Sequence, residues 1–356
     1  MPRIISKKTI NKSEINKILV RVTNWVGDMV MCLPALEAVR TNFPDSSITV
    51  VARPWVVPLI KKHPAVDHVI SYKKGNGFAD DLMEFGRILK LIRSERYEIA
   101  FLFQNAFEAA LLTYLGGVKN RIGYNTDGRG FLLTHSVVRD EDVLKLHQVE
   151  YYLTILRAMG WEAATKDPAL SIDDSDMKDV RELLVSEGIG EKDLLLGLSP
   201  GAIFGPAKRW PAERFAVVGD RAIEKWGAKV AILGSSGETE ICNDLALSMK
   251  HPSINLCGKT SLGQAMALIK RCQFFVTNDS GLMHVAAGLD VPMVAIFGST
   301  DHVATGPRSG KARIVRHEIS CAPCLKPECP TDFNCMLDIP PDEVWRELEI
   351  LKEMIN

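Results

Sequence analysis

At 356 residues, with 46% apolar and 24% charged residues and a formal net charge of -1, the chain has the composition of an ordinary globular protein. That excludes a disordered tail, a fibre and a strongly basic nucleic-acid binder, and the length favours two domains of roughly 150 residues each. No run of about 18 uncharged apolar residues occurs, and residues 1–17 alternate basic and polar side chains without a signal-peptide core, so a cytoplasmic protein is expected.

Short apolar runs rich in β-branched residues follow one another along the chain, at 17–22, 48–52, 99–103, 194–198, 229–233, 274–277 and 293–297. Segments with helical spacing lie between most of them, for example Leu33, Leu36 and Val39, or Phe215, Val218 and Ala222. Runs apolar on both faces that alternate with helices predict parallel sheets covered on both sides. The pattern occurs twice, which predicts an α/β fold of two Rossmann-like, doubly wound parallel-sheet domains facing one another across a cleft. The expected boundaries are 1–172 for the first domain, 173–192 for a charged connection around Asp173-Asp174-Ser175-Asp176, and 193–340 for the second domain. Residues 341–356, with Val344, Leu348 and Leu351 on one face, predict a closing helix.

The first strand leads into Asn24-Trp25-Val26-Gly27-Asp28, where Gly27 permits a tight turn and Asp28 falls in the first turn of a helix. A carboxylate there serves either as a general base or simply as a complement to the helix dipole. The strand at 194–198 ends in a Gly/Pro-shaped loop containing Gly201, Ile203, Phe204, Gly205, Lys208 and Arg209, ahead of a helix that can begin at Pro211. Such a loop holds a diphosphate on backbone N–H groups and a cation, or is a solvated cationic loop. No Walker sequence occurs. Glu238, after the strand at 229–233, suits ribose hydroxyls or a helix start. After 274–277 come Asp279, Ser280, Gly281 and His284, a helix start open to phosphate in which Asp279 or Ser280 can cap.

Of eight cysteines, Cys32, Cys242, Cys257 and Cys272 read as small core side chains, whereas Cys321, Cys324, Cys329 and Cys335 cluster between prolines. Their count fits a structural zinc or an iron–sulfur cluster, and equally paired or free thiols; four sulfurs would leave no open position for catalysis.

These motifs together resemble the lipopolysaccharide heptosyltransferases, glycosyltransferase family 9, of GT-B architecture, and the likeness runs from Lys17 to about Leu351. The resemblance implies transfer of heptose from ADP-heptose to a lipid A–Kdo–heptose acceptor, with inversion and no cofactor required for catalysis. It assigns Asp28 and Lys208 to catalysis, and Gly201, Lys208, Glu238, Asp279, Ser280, Gly281 and His284 to the donor. Asn24 and Trp25 fall to the acceptor, and Arg121-Ile122-Gly123-Tyr124 is a family stretch without a role. Ile203 stands where an acid or polar residue is expected, and the cysteine segment is an addition to the shorter members. A lipid acceptor implies peripheral association with the cytoplasmic face of the inner membrane, for which Arg53, Lys61, Lys62, Lys73 and Lys74 offer basic surface. No nucleic-acid partner is expected. The alternatives are another nucleotide-sugar enzyme of GT-B fold, either the first or third heptosyltransferase or a nucleotide-sugar epimerase, which needs no acceptor, and a non-catalytic binder.

Overall fold

The computed structural model describes residues 3–6, 9–73, 75 and 77–355, and the chain divides into two compact units, Met1–Pro168 and Ala169–Asn356. In the first unit the strands are β1 (Ile4–Ser6), β2 (Lys17–Arg21), β3 (Ser47–Ala52), β4 (His68–Ser71), β5 (Ile99–Leu102), β6 (Asn120–Tyr124) and β7 (His135–Val137). They pair in the order β1-β7-β6-β5-β2-β3-β4, parallel throughout except for β1, which runs antiparallel at the edge. The central strands β2, β3 and β5 are buried almost throughout, which is why they read as continuous apolar runs.

The second unit holds β8 (Leu195–Ser199), β9 (Lys229–Ile232), β10 (Ile254–Asn255), β11 (Phe274–Asn278), β12 (Met293–Ile296) and β13 (Ala312–Val315). All pair parallel, in the order β10-β9-β8-β11-β12-β13. Setting β1 aside, both sheets follow the 3-2-1-4-5-6 Rossmann order, so the strand order reverses between β2 and β5 and again between β8 and β11. Ligands bind beyond the carboxyl ends of the strands at such reversals. The expected pair of doubly wound sheets is therefore present.

The helix Val26–Asn42 is buried on nearly every side from Met29 to Val39 and packs on the helix Gln148–Arg157, consistent with its lack of a polar face. The helix Ala212–Trp226 is amphipathic, burying Phe215, Val218 and Ala222 against the second sheet. Pro211 stands at its N-cap, one position earlier than the first helical turn. The expected closing helix forms as Pro341–Ile355, with Val344, Leu348 and Leu351 buried against Ala212–Trp226, β12 and β13.

One expectation fails. The stretch 173–192, expected as a connection between the domains, falls within the second unit and contains the helix Asp174–Ser186, which packs on the helix Leu262–Arg271. Val180 and Leu184, one turn apart, supply its buried stripe, and Asp173 caps it by accepting the N–H of Ser175. The density of carboxylates that suggested a linker is a favourable first helical turn. No helix among the described residues is long and apolar enough to cross a membrane.

Candidate active site

At the carboxyl end of β2 the chain turns through Asn24 and Trp25 into the buried helix, leaving Asp28 half-buried in its first turn. Asp28 lies near the hydroxyl of Tyr152, whose pKa is pushed up first by burial and then by this carboxylate. The Asn24 carbonyl accepts the indole N–H of Trp55 at 2.7 Å, so two exposed indoles, Trp25 and Trp55, flank Asn24. Trp55 was not expected; it belongs to a short 3-10 turn after β3 that carries no apolar periodicity. Exposed aromatic faces beside polar groups suit a sugar ring.

Beneath them Arg21 is 2% exposed and donates to the carbonyls of Val22 and Val51 at 3.1 and 3.2 Å. Burial, then repulsion from Arg53, lowers its pKa to about 10. Arg53 was expected on a basic surface and is instead buried, stacked on the Tyr72 ring and donating to the Tyr72 carbonyl, with Glu108 at 3.9 Å. Lys61, Lys62 and Lys73 are exposed as expected, and Lys74 lies outside the described residues. The Arg121–Tyr124 stretch forms β6: Arg121 donates to the Leu132 carbonyl at 2.6 Å and Tyr124 to the Tyr151 carbonyl at 2.6 Å, both structural bonds.

In the second unit the residues after β8, β9, β11 and β12 are brought together by a network of named contacts. Lys208, at the end of a 3-10 turn after β8, places its Nζ 2.5 Å from Oδ2 of Asp279, which follows β11 and is 4% exposed. The same oxygen accepts the hydroxyl of Thr300, after β12, at 2.6 Å. This ion pair therefore spans the β8/β11 reversal. The ring of Phe204 lies 4.9 Å from the ammonium, and Ile203 beside it is exposed, so this part of the loop presents apolar surface where a polar residue was expected.

Asn278, fully buried, fixes the loop to β11 at two points: its Oδ1 accepts the N–H of Trp210 at 3.0 Å and its Nδ2 donates to the Pro200 carbonyl at 2.7 Å. Glu238 closes a capping box, with Oε2 accepting the N–H and the hydroxyl of Ser235, each at 2.8 Å. Its carboxylate also lies against Gly201, where a Cβ would overlap it and push the side chain aside. Ser280 is the N-cap of the helix Gly281–Gly288 but makes no side-chain cap bond; its hydroxyl instead lies 3.2 Å from that of Thr277. No side chain from the N-cap therefore closes the amides at the helix start, and Gly281 keeps the approach open. His284 is buried on the same helix, 5% exposed. A cation, an uncapped helix start and a carboxylate beside a glycine turn are the kinds of group that can receive phosphate and ribose oxygens.

The eight cysteines are all free thiols. Cys32, Cys242, Cys257 and Cys272 are buried as expected. Cys321, Cys324, Cys329 and Cys335 line one small pocket, but at depths from exposed Cys321 to buried Cys335. Among the described residues no group of three or more His, Cys, Asp or Glu side chains is arranged to hold a metal ion, so the zinc or iron–sulfur reading is not supported by their placement.

Residues 85–333 match the family model of glycosyltransferase family 9 (heptosyltransferase). The chain is 34% identical to lipopolysaccharide heptosyltransferase 2 of Salmonella typhimurium, over 94% of its own length and 98% of the relative's. It is 33% identical to the Escherichia coli protein of the same name, with the same coverage. Among solved structures it is similar to Escherichia coli ADP-heptose lipopolysaccharide heptosyltransferase II, with a TM-score of 0.80, 30% identity and coverage of 94% and 98%.

Proposed function

Because the chain belongs to glycosyltransferase family 9, the heptosyltransferases, we propose that it transfers L-glycero-D-manno-heptose from ADP-heptose to the heptose already on the lipid A–Kdo core of lipopolysaccharide. The observation that carries the donor half is the Lys208–Asp279 pair across the β8/β11 reversal. The name shared by its relatives supports the second transfer over the first or third.

Asp28 takes the proton of the acceptor hydroxyl as its oxygen bonds to the anomeric carbon, and ADP departs from the opposite face. A single displacement inverts the configuration. Lys208 exchanges Asp279 for the diphosphate, and the amides opening Gly281–Gly288 share the departing charge. In this reading these groups do the work that a metal does in other transferases, so none is required. Glu238, beside Gly201, faces the ribose, while Asp279, Ser280 and His284 frame the diphosphate and the sugar. Asn24 and Trp25 hold the acceptor.

The acceptor is an anionic lipid, so the enzyme works at the cytoplasmic face of the inner membrane, to which exposed Lys61, Lys62 and Lys73 give a weak electrostatic attachment. Mass spectrometry of products from ADP-heptose offered with acceptors carrying zero, one or two heptoses tests the assignment. Mass added only to the one-heptose acceptor supports it; addition to another acceptor, or epimerised donor without transfer, refutes it.

A further inference from the structure

The cysteine-rich segment has no part in the transfer itself, yet its main chain holds both flanks of the donor cluster. The Pro327 carbonyl accepts the N–H of Ala207 at 3.0 Å, one residue before Lys208. Leu325 donates its N–H to the Ser299 carbonyl at 2.8 Å, one residue before Thr300. Gly205 meets the Pro327 carbonyl with φ of 155°, where any Cβ would overlap that carbonyl, so the lysine loop is shaped to seat the segment. Ala207 and Ser299 also line the small pocket that all four thiols border, and the buried Ser299 hydroxyl has no hydrogen-bond partner there. The thiols thus sit directly behind the two residues adjoining Lys208 and Thr300.

We propose that segment 321–335 is a brace for the donor site, in which Pro327 and Leu325 are positioning residues that hold Lys208 and Thr300 in register with Asp279 for the diphosphate. The proposal rests on Lys208 being the donor cation. A packed pocket does not accept new atoms without displacing its walls. A substituent on a pocket thiol therefore crowds Ala207 and Ser299, which line the pocket and are hydrogen-bonded to Pro327 and Leu325, and so disturbs both ends of the cluster without touching ADP. Hydrogen bonds from Thr331, backbone first, hold the Cys329 thiol below its ordinary pKa, which raises its thiolate fraction.

The folded protein is treated with N-ethylmaleimide, the labelled cysteines are located by mass spectrometry, and ADP affinity is read by equilibrium dialysis. Protein labelled within 321–335 binds ADP at least tenfold more weakly, and saturating ADP slows labelling of Cys324 and Cys329 severalfold, because coupling between two sites is mutual. Gly205→Ala, which unseats Pro327, weakens ADP binding by a similar factor and speeds labelling. Unchanged ADP affinity in protein labelled on this segment overturns the brace, as does a Gly205→Ala protein that labels faster yet binds ADP normally. If Gly205→Ala does not fold, the labelling arm decides alone. Lys208→Ala is the reference: wild-type ADP affinity there means that the donor reading is wrong, whereas weakened affinity there with no effect of labelling removes only the brace.

Discussion

Lys208 and Asp279 lie 71 residues apart in sequence, yet Nζ and Oδ2 meet at 2.5 Å, with the lysine side chain 14% exposed and the aspartate side chain 4% exposed. A cation this enclosed has one partner to leave and one to gain when a diphosphate arrives. Removing it as Lys208→Ala leaves Asp279 buried with Thr300 alone and takes away about 3 kcal/mol of transition-state stabilisation, roughly a 150-fold loss of kcat/KM for ADP-heptose. Steady-state kinetics with varied donor check this, and kcat/KM within a few-fold of the unaltered protein would take Lys208 out of the reaction.

Thr300 was not foreseen, and in the proposed mechanism its hydroxyl is what would remain on the Asp279 carboxylate when Lys208 turns to the donor. Thr300→Val keeps the shape and deletes that donor, costing about 1.5 kcal/mol, or about tenfold in donor KM. Thr300→Ser keeps the hydroxyl and stays near the unaltered value. Equal loss in both variants would point to packing instead of the hydrogen bond.

In the proposed transfer Asp28 is the base. Asp28→Asn retains size and polarity but binds no proton, so kcat falls by about 10²- to 10⁴-fold while ADP affinity, measured separately, holds. Normal turnover by the purified Asn variant would remove the base from the mechanism.

Asn278 is a test of stability rather than chemistry. Asn278→Asp keeps the acceptor for Trp210 but loses the donor to the Pro200 carbonyl, and it buries a charge, whereas Asn278→Ala leaves both backbone groups unpaired. Each unpaired buried group costs about 1–3 kcal/mol, so thermal unfolding of both variants begins several degrees earlier. A melting curve identical to that of the unaltered protein would mean that the lysine loop does not depend on this side chain.

The strands that could be read from the sequence were β2, β3, β5, β8, β9, β11 and β12, which lie towards the middle of their sheets and are mostly covered on both faces. Those passed over were β1, β4, β6, β7, β10 and β13: β10 has two residues, β4 and β13 keep exposed positions, and β6 opens on Asn120 and Arg121. Edges lack the uninterrupted apolar run that betrays a buried strand. In the donor site, the glycines, Lys208 and the 278–281 turn stood out because their residue types are unusual just after apolar runs. Thr300 and Trp55 did not, since one hydroxyl after Gly298-Ser299 and one indole in a 3-10 turn have no pattern of their own. A search for polar residues in the few positions after every predicted strand would have included Thr300. The charged run at 173–176 misled because a capped helix start and a solvated linker share a composition.

Each sheet is closed over by its own helices, with separate apolar clusters around Leu19, Ile88 and Leu102 in one half and around Leu198, Phe215 and Val276 in the other. A nucleotide held by the residues around Lys208 and Asp279 would add about 2.7 kcal/mol to the stability of the sheet that carries them at a hundredfold excess over its dissociation constant.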